Sequence, residues 1–413
     1  MLQRKRTLPS RMTGFGMVEI LVGLVIGMLA SMAVLQLFTY SEGRNRTASG
    51  SADAQSTGAI TLYQLQTNIQ RAGFGLSSVA LFNCGATWTA VSGAISKNPR
   101  LAPVSVNPTA ADGSVLISPG DANTDVIMLM DGNGNSMPQG SEIDPLSSTS
   151  TLYTLLSTTS TFALGDRIIA ATGNTADSCG TNILPISRVN TVTATNVTPE
   201  VGSSGLTLFN LGPGTNGPNA NPTATMPTNG PTILVYAVRG GVLTVCDFNI
   251  NDCSLAGSSL SNQAVWVPLA GNVVSMRAVY WKDNSGALWD GSTTANDQTQ
   301  PSNACAWARV WALNVMLVTR SDERAKDIVT RSATGTVVSG NATLAAMATA
   351  SALAPTWSDP TLDAAAPVVL GPDTNDDTPE WRHYRYKAFR ALVPIRNTTW
   401  LVPQLQPPNT PLC

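Results

Sequence analysis

The chain has 413 residues, room for one large domain or two small ones, and only 12% of them are charged. The formal net charge is −2, and no basic run reads as a nucleic-acid footprint. One histidine and the lack of any C-x-x-C pair argue against zinc.

The first element lies at the N-terminus. Arg4, Lys5, Arg6 and Arg11 precede Thr13-Gly14-Phe15-Gly16-Met17-Val18-Glu19, and an apolar run extends from Ile20 to Phe38. Residues 15–38 would make roughly 36 Å of helix, against a bilayer hydrocarbon core of about 30 Å. The leading cations hold the N-terminus in the cytoplasm, so the C-terminal body is exported. Glu19 at membrane depth is costly unless it meets a partner. Cleavage after Gly14 would supply one, the new α-amine of Phe15. It would also leave 20 basic residues against 26 acidic ones, a net charge of −6. Two other readings compete. A secretory signal with Ser31-Met32-Ala33 as its cleavage site leaves Glu19 unexplained, and a plain bitopic anchor does not account for Gly14-Phe15 followed by Glu19.

The apolar segment is expected to continue as one long helix. Leu62, Leu65 and Ile69 fall at i, i+3 and i+7, with Tyr63, Gln66 and Gln70 facing elsewhere. Gly43, Gly50 and Gly58 each weaken it by about 1 kcal/mol relative to Ala, which predicts bending or local melting. Gly73 is placed to end the helix. Gly23 and Gly27 form a small-xxx-small pair, which either lets helices approach closely or is ordinary glycine use in a membrane helix. Past Gly75 the pattern turns to short β-rich runs. Strands are predicted at 125–130, 166–170, 232–238, 273–281, 310–319 and 391–395. The loop at 212–230 carries Pro213, Pro218, Pro222 and Pro227 and reads as a solvated loop or a subdomain boundary. Residues 341–355 are Ala-rich and predict a surface helix. The fold class is therefore α+β. It divides into a leader (1–14), a membrane half of the helix (15–40), an exported half (41–73) and a β-rich head (74–413), with 212–230 as a candidate division of the head.

Six cysteines (Cys84, Cys179, Cys246, Cys253, Cys305 and Cys413) in an exported chain favour disulfides, with fifteen possible pairings. Cys246 and Cys253 enclose a six-residue loop and make the best single pair on spacing.

The N-terminal junction resembles the type IV prepilin leader: a short basic leader ending in Gly, an aromatic residue after it, and Glu four residues on. The resemblance implies that a prepilin peptidase cuts between Gly14 and Phe15 and methylates the Phe15 amine. It also implies that Glu19 pairs with an N-terminal amine as helices pack in a filament. Further islands are similar to the PilW family of minor pilins. They are 64–75, ending Ile69-Gln70-Arg71-Ala72-Gly73-Phe74-Gly75; Gly165-Asp166-Arg167-Ile168-Ile169-Ala170 with Cys179 beyond; 269–280; 310–321, ending Val318-Thr319-Arg320-Ser321; and 385–397, ending Ile395-Arg396-Asn397. Cys84 stands later than the family pattern places its first cysteine. The family implies a Cys84–Cys179 disulfide, leaving Cys305 with Cys413.

Other motifs point to chemistry only weakly. Asp131, Asn133 and Asn135, with Glu142 twelfth from Asp131, have the ligand spacing of a calcium loop. Ser136 replaces the usual Gly, Pro138 follows, and the run also reads as an Asn/Gly turn. An acidic group, Asp373, Asp376, Asp377 and Glu380, reads as a solvated loop before a calcium site. Gly212-Pro213-Gly214-Thr215-Asn216-Gly217 fits G-x-G-x-x-G, but Pro218 and Pro222 deny it the following helix. His383 is read as a structural or surface residue. Five of nine tryptophans fall between Trp266 and Trp311, either as sheet packing or as a docking surface.

Together these features predict a non-enzymatic minor pilin with no required cofactor, inserted in the inner membrane with an exported head. Expected partners are other minor and major pilins, the prepilin peptidase, an inner-membrane assembly platform and a tip adhesin. The expected place after assembly is the pilus tip, in support of twitching motility and adhesion. A minor pseudopilin of type II secretion is the alternative within the class. A membrane-anchored adhesin or binding module that never polymerises is the alternative outside it.

Overall fold

The structure, a computed structural model, describes residues 16–76, 78–90, 93–132, 140–172, 179, 182–213, 232–254, 263–283, 294–326, 328–331, 352–357, 359–368, 370 and 380–398. Two compact units result, Met1–Ala52 and Asp53–Cys413. One helix, α1, runs from Met17 to Arg71 through Gly43, Gly50 and Gly58 without a break. The helix is long and uninterrupted, and among the described residues everything regular beyond it is strand apart from short helical turns.

Three larger sheets carry the second unit among the described residues, all with antiparallel neighbours. The five-stranded sheet has the order Val267–Gly271, Val242–Asp247, Thr232–Arg239, Ile127–Asp131, Val104–Val106. The four-stranded sheet has the order Thr294–Asp297, Val273–Asp283, Val310–Arg320, Tyr386–Pro394. The six-stranded sheet is built from Ser141–Glu142, Thr207–Pro213, Asp166–Ala171, Ser187–Val192, Asn196–Pro199 and Tyr153–Thr154. The chain turns from the first of these sheets to the second at Asn272, whose φ of 57° is a left-handed value that asparagine tolerates.

Each sheet is packed on both faces, and the period-two alternation of strands decides which residue enters which core. Along Ile127–Asp131, Ile127 and Leu129 join the cluster that also holds Leu62, Leu65, Ile69 and Ala72 of α1. Met128 and Met130 join a second cluster with Ile169, Phe209 and Trp266. The six-stranded sheet gives Ile169 and Ala171 to that second cluster, and Ile168 and Ala170 to a third. In the four-stranded sheet Leu313, Val315 and Leu317 face α1, while Met316 and Val318 meet Trp357, Leu362 and Ala366. The last two belong to the segment around a short helix, Pro360–Ala365. Two-faced burial explains why Val310–Arg320 reads as an almost continuous apolar run instead of an alternating one.

A polar knot joins two of the sheets. Asp125, just before the Ile127–Asp131 strand, is 1% exposed. Its carboxylate accepts from Arg277 Nη1 at 2.8 Å, the Ala278 amide at 2.8 Å, Asn107 Nδ2 at 3.0 Å and Gln298 Nε2 at 2.5 Å.

All six predicted strands are present, five of them ending one or two residues later than expected. Ile127–Asp131 also starts two residues late, and the last strand starts at Tyr386, five residues early. The helix expected at 341–355 is corrected where it falls on described residues. Ala352–Leu353 is a strand, parallel to Thr330–Arg331, so backbone pairing overrides local helix propensity there. The rest of that segment up to residue 351 lies outside the described residues, as does 214–231. The strands flanking the latter gap, Thr207–Pro213 and Thr232–Arg239, belong to different sheets.

Candidate functional site

The candidate site is α1 itself. In the first unit, Met17–Phe38 is long and apolar enough to cross a membrane, and none of it is buried. Every residue in this stretch is exposed, including Glu19, which lies in the first helical turn. The Glu19 amide donates to Gly16 O at 2.9 Å. A Cβ added at Gly16, Gly23 or Gly27 would meet no atom within 4 Å, so this face is open to close approach. Gly14 and Phe15 lie outside the described residues.

In the second unit the same helix becomes part of a core. Leu62, Leu65, Ile69 and Ala72 are buried, while Ile60 and Tyr63 on the other side are exposed. Asn68 Nδ2 donates to the Tyr236 hydroxyl at 2.7 Å, which fixes the helix against the five-stranded sheet. Thr319 Oγ1 donates to Ala54 O at 2.9 Å and fixes it against the four-stranded sheet. Gly58 carries the ring of Phe389 directly on its backbone: an added Cβ would lie 2.1 Å from Phe389 Cε2.

The helix ends as the sequence requires. Gly73 has φ 84°, a left-handed value, and its amide donates to Met130 O at 2.7 Å. The terminal carbonyls of Arg71 and Ala72 accept from Asn397 Nδ2 at 2.8 and 3.1 Å. This capping role of Asn397 was not read from the sequence, where the residue appeared only as the last letter of a family island. A polar residue 326 positions from its partner carries no local signal.

The proposed calcium ligands are partly visible. Asp131 is largely buried and forms an ion pair with Arg71 at 3.3 Å. Burial raises its carboxyl to about 6 despite the nearby guanidinium. Glu142 sits on a two-residue strand opposite Thr207. Asn133 and Asn135 lie outside the described residues, as do Asp373, Asp376 and Asp377.

Two disulfides join described residues, Cys84 to Cys179 and Cys246 to Cys253. Cys305 is disulfide-bonded as well, and Cys413 lies outside the described residues. His383 is buried in a short 3₁₀ turn, Glu380–His383, with Nδ1 3.0 Å from Ala325 O. Trp266 and Trp307 are core residues, while Trp281 and Trp311 are half-buried and meet edge to face at 6.0 Å.

No family model matches the chain, and no curated protein matches it. Among solved structures it is similar to a type IV-like pilin from Thermus thermophilus, at 12% identity and a TM-score of 0.31, over 84% of this chain and 97% of that one.

Proposed function

We propose that the chain is a minor pilin of a type IV pilus, with assembly as its work and no catalysis. The observation that carries this reading is the double character of α1. One continuous helix is fully exposed and apolar over Met17–Phe38, then packs into a β-rich body with its stripe Leu62, Leu65, Ile69. An exposed apolar helix face is stable in a bilayer or in a bundle of like helices, and in no aqueous setting between them. In this reading a prepilin peptidase cleaves between Gly14 and Phe15 and methylates the new amine. The helix rests in the inner membrane and then moves sideways into a filament, where Glu19 pairs with a terminal amine. The PilW assignment rests on the order of the sequence islands. The large head suits a pilus tip better than a shaft position, where its bulk would repeat at every subunit.

The test is an in-frame deletion scored together for surface pili, twitching motility and secretion of exoproteins. Loss of pili with secretion intact is the expected result. Loss of secretion with pili intact would place the chain among type II pseudopilins. No change in either would point to a membrane-anchored adhesin or binding module.

A further inference from the structure

We propose that Thr319 and Phe389 form a clamp on the backbone of α1, and that this clamp fixes the residue at which the helix comes under the hold of the sheets. Side chains usually mediate helix-to-sheet packing, but here the sheet reaches the helix backbone twice, one turn apart. Thr319 is 0% exposed, and its hydroxyl donates to Ala54 O at 2.9 Å. Four residues on, the Phe389 ring occupies the space where any residue but glycine at 58 would place its Cβ. The two gripping residues come from paired strands. Thr319 lies opposite Lys387 and Leu317 opposite Phe389, so they are diagonal neighbours on one ladder.

The position of these contacts gives them their meaning. Among the described residues, Ala54 is the first buried apolar side chain along α1. The compact β-rich unit begins at Asp53, one residue before it. Gly43 and Gly50 lie just N-terminal, where each lowers helix stability. A helix that frays from that side must break the Thr319 bond and lift the Phe389 ring before it can lose the turns that carry Leu62 and Leu65. The clamp is therefore a stop for local unwinding. It lets the segment before Ala54 bend or melt while the head keeps its core. It also sets the length of α1 that other helices can reach. The inference concerns the chain's own helix and does not depend on the pilin reading.

The experiment is hydrogen–deuterium exchange on the full chain in detergent micelles. Thr319→Val removes the hydroxyl at nearly constant volume, and Thr319→Ser keeps it. The Val variant is expected to speed exchange of amides from Ala54 to Leu62 about tenfold, the equivalent of one hydrogen bond's net contribution. Peptides covering 65–71 and the Val310–Arg320 strand are expected to exchange at the wild-type rate, and the Ser variant to match wild type throughout. Phe389→Leu is expected to speed the same Ala54–Leu62 amides. Unchanged exchange at 54–62 in both the Val and Leu variants would overturn the proposal. So would equal acceleration across α1 and the sheet, which would mark Thr319 as an ordinary core residue.

Discussion

The polar knot at Asp125 offers the sharpest test of how the two sheets are held together. Four donors converge on two carboxylate oxygens: the guanidinium of Arg277, the Ala278 amide, and the side-chain amides of Asn107 and Gln298. Among the described residues, Arg277 Nε is buried without a hydrogen-bond partner. Asp125→Ala strands a guanidinium whose side chain is only 11% exposed, and removing one member of a buried pair costs about 3–5 kcal/mol. Asp125→Asn keeps the shape but turns one acceptor into an NH₂ that faces donors. It should therefore cost about 3 kcal/mol instead of being mild. The assay is urea unfolding of a soluble fragment, residues 53–413. A loss of that size moves the midpoint by about 1 M at an m-value of ~3 kcal/mol per M. Adding Arg277→Met to the Ala variant should restore at least half of the loss, because no charge is then left buried. If Asp125→Asn shifts the midpoint by less than about 0.3 M, the knot is not what couples the sheets.

Four further outcomes are expected. The Asp131 carboxyl is raised to about 6 by burial, above its unfolded value near 4, so its favourable contribution is present below pH 4 and is lost as pH rises through 6. Asp131→Asn should therefore flatten the stability profile between pH 4 and 6 and raise stability at pH 7 by on the order of 1–2 kcal/mol, read from urea midpoints across pH. Gly58→Ala gains about 1 kcal/mol of helix propensity but drives a methyl into the Phe389 ring, so a net loss of about 1 kcal/mol is expected and Phe389→Leu should relieve it. Asn397→Ala removes the cap on Arg71 O and Ala72 O and should cost about 1 kcal/mol, with faster amide exchange confined to the last turn of α1. Calcium or a chelator should leave the melting temperature unchanged, because Asp131 is committed to Arg71; a calcium-dependent rise would assign the 131–142 loop to a cation.

Where the sequence was legible, one strong period ruled. The run Ile20–Phe38 and the Leu62, Leu65, Ile69 stripe each depend on a single helix facing a single environment, and both appear as read. Val273–Asp283 and Val310–Arg320 were visible because long β-branched runs suit a sheet buried on both faces. Tyr386–Pro394 was seen only at its apolar end. Lys387 and Arg390 sit on exposed positions of an outer strand, and such charges look like loop to a pattern search. Strands of two residues, such as Tyr153–Thr154 and Ser141–Glu142, are too short to show any period. In the candidate site, Glu19 could be found from its place in an apolar run. The Thr319, Phe389 and Asn397 contacts with α1 could not, since each joins residues more than 260 positions apart and only the folded chain brings them together.

The ladder between Ile127–Asp131 and Thr232–Arg239 pairs Asp131 with Thr232, yet about a hundred residues intervene, including the whole six-stranded sheet. Because the ends of this excursion are cross-strand neighbours, a tight turn could close the gap, and the sheet that supports α1 would keep its register. The excursion has its own small core and is stitched to the rest by Cys84–Cys179 and by the second cluster. The arrangement is modular in the manner of a tool holder. The bulk and outer chemistry of the head are free to diverge by lengthening or replacing one insertion, while the machinery that grips the helix stays constant.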